Sequence, residues 1–129
     1  MAIQESGEMY LESIYILTAR DGRARSIDVA EYLGVSRASV SQAMSNLKSG
    51  GYVTVSDDGT LILTSEGEQT ALKMYERHTT ISKMLTMLGV SEAVASEDAC
   101  RIEHVISDES FNAIKNHFRN ISVSDSDAN

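Results

Sequence analysis

The chain contains no proline and no tryptophan. Without proline, no helix is forced to break by a missing N–H donor, which suits a mostly helical chain. With only two phenylalanines and five tyrosines besides, the core must be filled by Leu, Ile, Val, Ala and Met. The single cysteine, Cys100, excludes an internal disulfide and fits a reducing, cytoplasmic setting. No apolar run approaches the roughly 18 residues of a membrane span. The N-terminal Met1-Ala2-Ile3-Gln4-Glu5 lacks the basic and apolar parts of a signal peptide, so no membrane partner is expected.

Positive charge is also scarce. Eleven Lys and Arg stand against nineteen Asp and Glu, a formal net charge of −8. Taken alone, that opposes nucleic-acid binding, because phosphate contacts need cations. The distribution matters more than the total. In the first fifty residues Arg20, Arg23, Arg25, Arg37 and Lys48 face six acids, so this part is close to neutral. The excess acid lies later, where part of it could be metal ligands whose charge a cation would offset. With 129 residues, 42% of them hydrophobic, the chain is long enough for one ordinary domain, or for two small ones that share a helix.

What is present has a clear order. Residues 8–19 carry Met9, Leu11, Ile14, Tyr15 and Leu17 at helical spacing, and Asp21-Gly22 ends that run. Ser26 reads as an N-cap, followed by Ile27, Val29, Ala30 and Leu33, with Gly34 as the stop. Ser36 reads as the next N-cap, with Val40, Ala43, Met44 and Leu47 on one face and Gly50-Gly51 closing. Two short helices joined by a tight turn make a helix-turn-helix. The period then changes: Tyr52–Val55 and Leu61–Leu63 are β-rich around the turn Asp57-Asp58-Gly59, a hairpin in the position of a wing. Thr64 can cap a long helix to about Leu88, with Leu72, Tyr75, Ile81, Met84, Leu85 and Leu88 as its apolar positions. Ser91 opens a helix expected to run through Ile106, and Ser107 caps a last helix with Phe111, Ile114 and Phe118. From about Ser122 the chain is Ser/Asp-rich, which predicts disorder.

A helix that enters a major groove presents short polar side chains from its N-terminal turns. Ser36, Arg37, Ser39, Ser41 and Gln42 lie opposite the apolar face of the second short helix, and Arg25 precedes the motif. Gln can pair with an adenine edge, and Ser and Arg with phosphate or base. A solvated helix face has the same composition; the order helix, turn, helix, wing is what favours DNA.

Cys100, Glu103 and His104 fall at i, i+3 and i+4, which on a helix share a face. Thiolate, carboxylate and imidazole together suit a divalent transition metal. A fourth ligand must come from elsewhere: Met9, Glu12 one turn further along the same helix, or His78. The same residues also read as packing, with Cys100 and Met9 in the core and Glu103–His104 a solvated pair. No Ser-His-Asp order, phosphate-cradling glycine loop or His-Glu-x-x-His pattern is present, so neither an enzyme nor a small organic substrate is expected.

The stretches Glu8–Tyr15 and Ala99–Glu109 resemble the diphtheria-toxin-repressor family of iron- and manganese-dependent repressors. So do Asp28–Ser36 and Ser39–Gln42 in the helix-turn-helix, Leu63–Gly67 at the wing's exit and Tyr75–His78 in the long helix. The resemblance runs in order from residue 8 to about 118. It implies a mainly α fold: an N-terminal winged helix-turn-helix with a small β-hairpin wing over 1–70, an α-helical metal-binding and dimerisation domain over 71–121, and a disordered tail over 122–129. It also implies a homodimer that binds palindromic double-stranded operator DNA when metal-loaded. Met9, Cys100, Glu103 and His104 match the main metal site of the iron-responsive branch, and softer sulfur ligands suit Fe(II) better than Mn(II). Glu12 and His78 match further ligands of the manganese branch's paired site, so Mn(II), and other divalent metals in vitro, are alternatives. The iron branch's ancillary site retains only His78, with Ser82 and Ser96 where Glu and His are expected. A winged-helix regulator that senses no metal is the remaining reading. The chain's length resembles that of the short, two-domain members.

Overall fold

The computed structural model describes residues 5–128, and the side chains of residues 6–119. Six helices and a hairpin follow one another as α1 (Glu5–Asp21), α2 (Ser26–Leu33), α3 (Arg37–Ser49), β1 (Val53–Val55), β2 (Leu61–Leu63), α4 (Ser65–Met87), α5 (Glu92–Ile102) and α6 (Asp108–Ala128). The chain divides into two compact units, Met1–Tyr75 and Glu76–Asn129. The boundary falls inside α4, a little past the expected 70/71.

In the first unit, glycines set the ends of the short helices. Gly34 adopts φ 69 and its N–H bonds to Ala30 O at 2.9 Å, a left-handed cap that turns the chain from α2 into α3. Ser36 caps α3 by accepting from Ser39 N at 3.1 Å. The cap of α2 is Arg25, not Ser26: its N–H donates to the Asp28 carboxylate at 2.9 Å, the backward half of a capping box. Leu11, Ile14, Leu17, Val29, Val40, Met44, Leu47, Val53 and Leu61 form one continuous buried core under α1, α2, α3 and the hairpin. Each such side chain contributes about 1.5–3 kcal/mol by leaving water.

The hairpin pairs antiparallel, with Val53 opposite Leu63 and Val55 opposite Leu61. Arg25 bridges Thr60, and Leu61 N bonds to Ala24 O at 2.8 Å, so the segment before α2 is pinned to the wing by an isolated bridge beside the two-stranded sheet. Thr64 ends the wing and caps α4: its hydroxyl donates to Gly51 O at 2.7 Å and accepts from Gly67 N at 3.2 Å. Gly67 is there for space. A Cβ at this position would sit 2.0 Å from Tyr52 O, so only glycine lets α4 start this close to the wing.

The second unit is built from the rest of α4, with α5 and α6. Gly89, at φ 102, closes α4 as expected, Ser91 caps α5, and Ser107 accepts from Ser110 N at 3.1 Å to cap α6. Its apolar centre is small: Ile81, Ala99 and Phe111 are buried, with Met84, Leu85, Ile102 and Ile106 packed against them. The buried positions of α4 are Gly67, Ala71, Met74, Arg77 and Ile81, whereas Leu72, Tyr75 and Leu88, expected on its apolar face, are exposed. Two further expectations differ. Helix α5 ends at Ile102, not at Ile106. Helical backbone in α6 continues to Ala128, across the Ser/Asp-rich stretch expected to be disordered.

Candidate metal centre

The end of α5 decides the geometry of the candidate site. Cys100 lies in the last turn of α5, but Glu103 is the helix's C-cap and His104 lies in the turn beyond it. The i, i+3, i+4 spacing thus runs off the end of the helix, with the Glu103 N–H still bonded to Ala99 O at 2.9 Å. Glu103 is fully buried and the His104 side chain is only 8% exposed, whereas Cys100 is exposed.

Within this unit Glu103 sits between two imidazoles. One carboxylate oxygen, Oε2, is 2.9 Å from His78 Nδ1 on α4. The other, Oε1, is 3.2 Å from His104 Nε2. The other ring nitrogen of His78, Nε2, is 3.3 Å from Ser96 Oγ. It faces an open hollow bounded by Ser82, Thr86, Glu92 and Ser96. The positions of the ancillary site are thus together in space, but Ser82 and Ser96 bring hydroxyls where a carboxylate and an imidazole would bind metal well.

His78, which spacing alone offered only as a spare ligand, is brought against the most deeply buried acid among the described residues. A carboxylate with no exposure is costly unless cations or donors surround it. Oxygen and nitrogen donors of this kind fit a divalent cation such as Mn(II) or Fe(II). Glu103 and His104 could supply a ligand atom each, and His78 could ligate or hold the second carboxylate oxygen, as partners of metal-bound groups do.

In the first unit, Met9 and Glu12 lie on α1 one turn apart, Met9 half-buried and Glu12 at 7% exposure. The remaining expected site residues cluster on the winged helix-turn-helix. Ser36, Arg37, Ser39, Ser41 and Gln42 are all exposed, Ser36 as the N-cap of α3 and the others in its first two turns, while Val40, Met44 and Leu47 of the same helix are buried. Arg25 is half-buried and tied to the wing through Thr60.

Sequence reasoning missed Arg77. It is 4% exposed in the second unit, and its guanidinium reaches the turn that carries Glu103 and His104. Nothing local marks it, because its partners lie 26 and 29 residues away in the chain.

The chain is similar to known proteins along nearly its whole length. Residues 2–61 match the family described as iron dependent repressor, N-terminal DNA binding domain, and residues 64–127 match iron dependent repressor, metal binding and dimerisation domain. A transcriptional regulator MntR of Escherichia coli is 36% identical over 106 residues, covering 82% of this chain and 68% of that protein. An uncharacterized HTH-type transcriptional regulator of Methanocaldococcus jannaschii is 33% identical, covering 88% of this chain and 92% of its own. Among solved structures, that of the manganese regulator SloR superposes with a TM-score of 0.78 at 26% identity. It covers 92% of this chain, which spans about half, 55%, of that protein. The two matched segments follow one another in the order of the two structural units, and the chain belongs to the iron-dependent repressor family of DNA-binding transcriptional repressors.

Proposed function

We propose that the protein is a divalent-metal-dependent transcriptional repressor of the cytoplasm. It binds palindromic double-stranded operator DNA as a metal-loaded homodimer and controls genes of metal homeostasis. The observation that carries the reading is the buried Glu103 between His78 and His104, in a chain whose other unit is a winged helix-turn-helix.

On this reading α3 enters the major groove. Arg37 and Gln42 reach base edges, Ser36, Ser39 and Ser41 reach base or phosphate, and Arg25 at the foot of the wing contacts the backbone. Glu103 and His104, with Met9 and Glu12 of α1 and the thiolate of Cys100, supply the metal ligands. A bound cation supplies charge neutralisation and a rigid link between its ligands. Because Met9 and Glu12 belong to the DNA-reading unit and Glu103 and His104 to the other, their joint ligation favours one arrangement of the chain over the rest. If that arrangement spaces two recognition helices about one DNA turn apart, operator binding follows. Exposed apolar side chains in the second unit, among them Leu88, Val94 and Val105, favour pairing of two chains there.

Two metals compete for the role. Fe(II) is favoured by the sulfur ligands Met9 and Cys100. Mn(II) is favoured by the gathering of oxygen and nitrogen donors at Glu103, His104 and His78, while Cys100 is exposed on α5. The test is anaerobic DNA-binding affinity at fixed salt with Fe(II), with Mn(II) and with neither. Tightening of about tenfold or more, 1.4 kcal/mol of coupling, supports the sensor, and the metal that achieves it at the lower concentration names the branch. Tight DNA binding that ignores both metals sinks it.

A further inference from the structure

We propose that Arg77 is a positioning residue for the metal centre: its guanidinium fixes the turn that presents Glu103 and His104. The inference rests on the proposed metal-dependent function and names a residue that this function needs but does not itself identify.

Glu103 and His104 lie beyond the last residue of α5, where the Glu103 N–H closes the last helical bond, to Ala99 O at 2.9 Å. The N–H groups of Val105 and Ile106 turn back to Ile102 O, at 3.1 and 3.0 Å. The turn's carbonyls are taken by Arg77. Its Nη1 donates to Glu103 O at 3.1 Å and to Ile106 O at 2.7 Å. Its Nη2 donates to the Asp108 carboxylate in the first turn of α6. One planar fork therefore ties the end of α5 to the start of α6, with the ligand-bearing turn between them. The fork is itself held, lying 5.4 Å above the Phe111 ring with its side chain 5% exposed. The next residue, His78, contacts Glu103 Oε2. Two adjacent residues of α4 thus fix the same ligand, Arg77 through its backbone and His78 through its carboxylate.

The arrangement calls for arginine in particular. Lysine carries one nitrogen, a point charge that cannot span acceptors on three residues, whereas a guanidinium presents its donors in a rigid fork. It also separates positioning from general stability. The Asp108 side chain is 71% exposed, so removing Arg77 leaves that carboxylate in water and not as an uncompensated buried charge. Methionine can take the place of the stem against Phe111. What is lost is the hold on the carbonyls of Glu103 and Ile106, which then turn towards water and take the ligand backbone with them.

The test uses the full chain and Co(II) as the probe. For Arg77→Met, we expect the unfolding midpoint of the metal-free protein to stay near that of the parent. Co(II) affinity should fall by about tenfold or more, the range seen when partners of metal ligands are removed. The Co(II) absorption spectrum should change, and amide exchange at Val105 and Ile106 should quicken in the metal-free protein. Arg77→Lys should restore little of the affinity. Asp108→Asn, which cuts one arm of the fork on the surface, should give a smaller loss with the same quickened exchange, and it serves if Arg77→Met does not fold. Variants that bind Co(II) with the parent's affinity and spectrum overturn the role of Arg77 and leave the metal-sensing function standing. A parent chain that takes up no Co(II) overturns that function, and this role with it.

Discussion

The two units keep their interiors in different ways. The winged helix-turn-helix has a continuous apolar core that runs from Tyr10 and Leu11 through Val40 and Met44 to Leu61 and Ala71. Among its described residues the second unit buries Ile81, Ala99 and Phe111 as a cluster, and gives comparable depth to Arg77 and Glu103. An apolar core holds a recognition helix at a fixed angle and is indifferent to solutes. An interior that spends its volume on a carboxylate, imidazoles and a guanidinium gains less from burial, and it can exchange energy with a cation. On the proposed function, the apolar core lies in the unit that reads DNA and the polar interior in the unit that senses metal.

That contrast can be broken from either side. The largest effect should come from the first unit: Ile14→Ala removes a fully buried side chain and should cost about 2–5 kcal/mol in denaturant unfolding, with metal affinity unchanged once folded. Next is Gly67→Ala, whose methyl must displace Tyr52 O; it should cost about 1–3 kcal/mol and loosen the wing, read as faster amide exchange at Thr64. In the second unit the order reverses. His104→Ala should leave unfolding of the metal-free protein nearly unchanged, yet weaken Mn(II) binding by at least about tenfold, or 1.4 kcal/mol, in a competition titration. An equal loss of stability and no loss of metal would make the second unit an ordinary core.

The smallest effect belongs to the wing tip. Hydrogen bonds from the Ser56 hydroxyl, then from the Thr60 hydroxyl and N–H, hold the Asp58 carboxyl well below the usual carboxylate range, and Arg23 adds to this. A depressed carboxyl stabilises the folded turn above its unfolded value, about pH 4, and that contribution is lost as pH falls below it. Carboxyl NMR of Asp58 should show no titration at pH 4, and Asp58→Asn should remove the acid sensitivity of the wing's amides.

The legibility of the sequence follows the same division. In the first unit short-range signals suffice: Gly34 and Ser36 place the turn, Val40, Met44 and Leu47 give the buried face of α3, and Asp58-Gly59 turns the hairpin. The one misplaced cap, Ser26 for Arg25, is a one-residue shift caused by the Asp28 carboxylate reaching back. In the second unit local signals mislead. The apolar spacing of Ile102 and Ile106 continues past the end of α5, into a turn whose Glu103 O and Ile106 O accept from a guanidinium in a distant part of the chain. Cys100 is exposed whereas Glu103 and His104 are buried or nearly so, and His78 meets Glu103, none of which spacing can reveal. On α4, which crosses from one unit into the other, Leu72 and Tyr75 fit an apolar stripe by residue type yet are exposed, while Arg77 is buried. The family resemblance named the candidate site residues, and the fold shows that His78, Glu103 and His104 come together within the second unit.

The central claim is that the cation held at Glu103 governs what α3 does. The most direct measurement is the operator affinity of the parent and of Glu103→Gln, each with and without Mn(II), at one ionic strength. The account predicts that Mn(II) tightens binding by the parent about tenfold or more and does nothing for Glu103→Gln, whose metal-free affinity matches the parent's. Equal tightening of both proteins by Mn(II), or of neither, would contradict it.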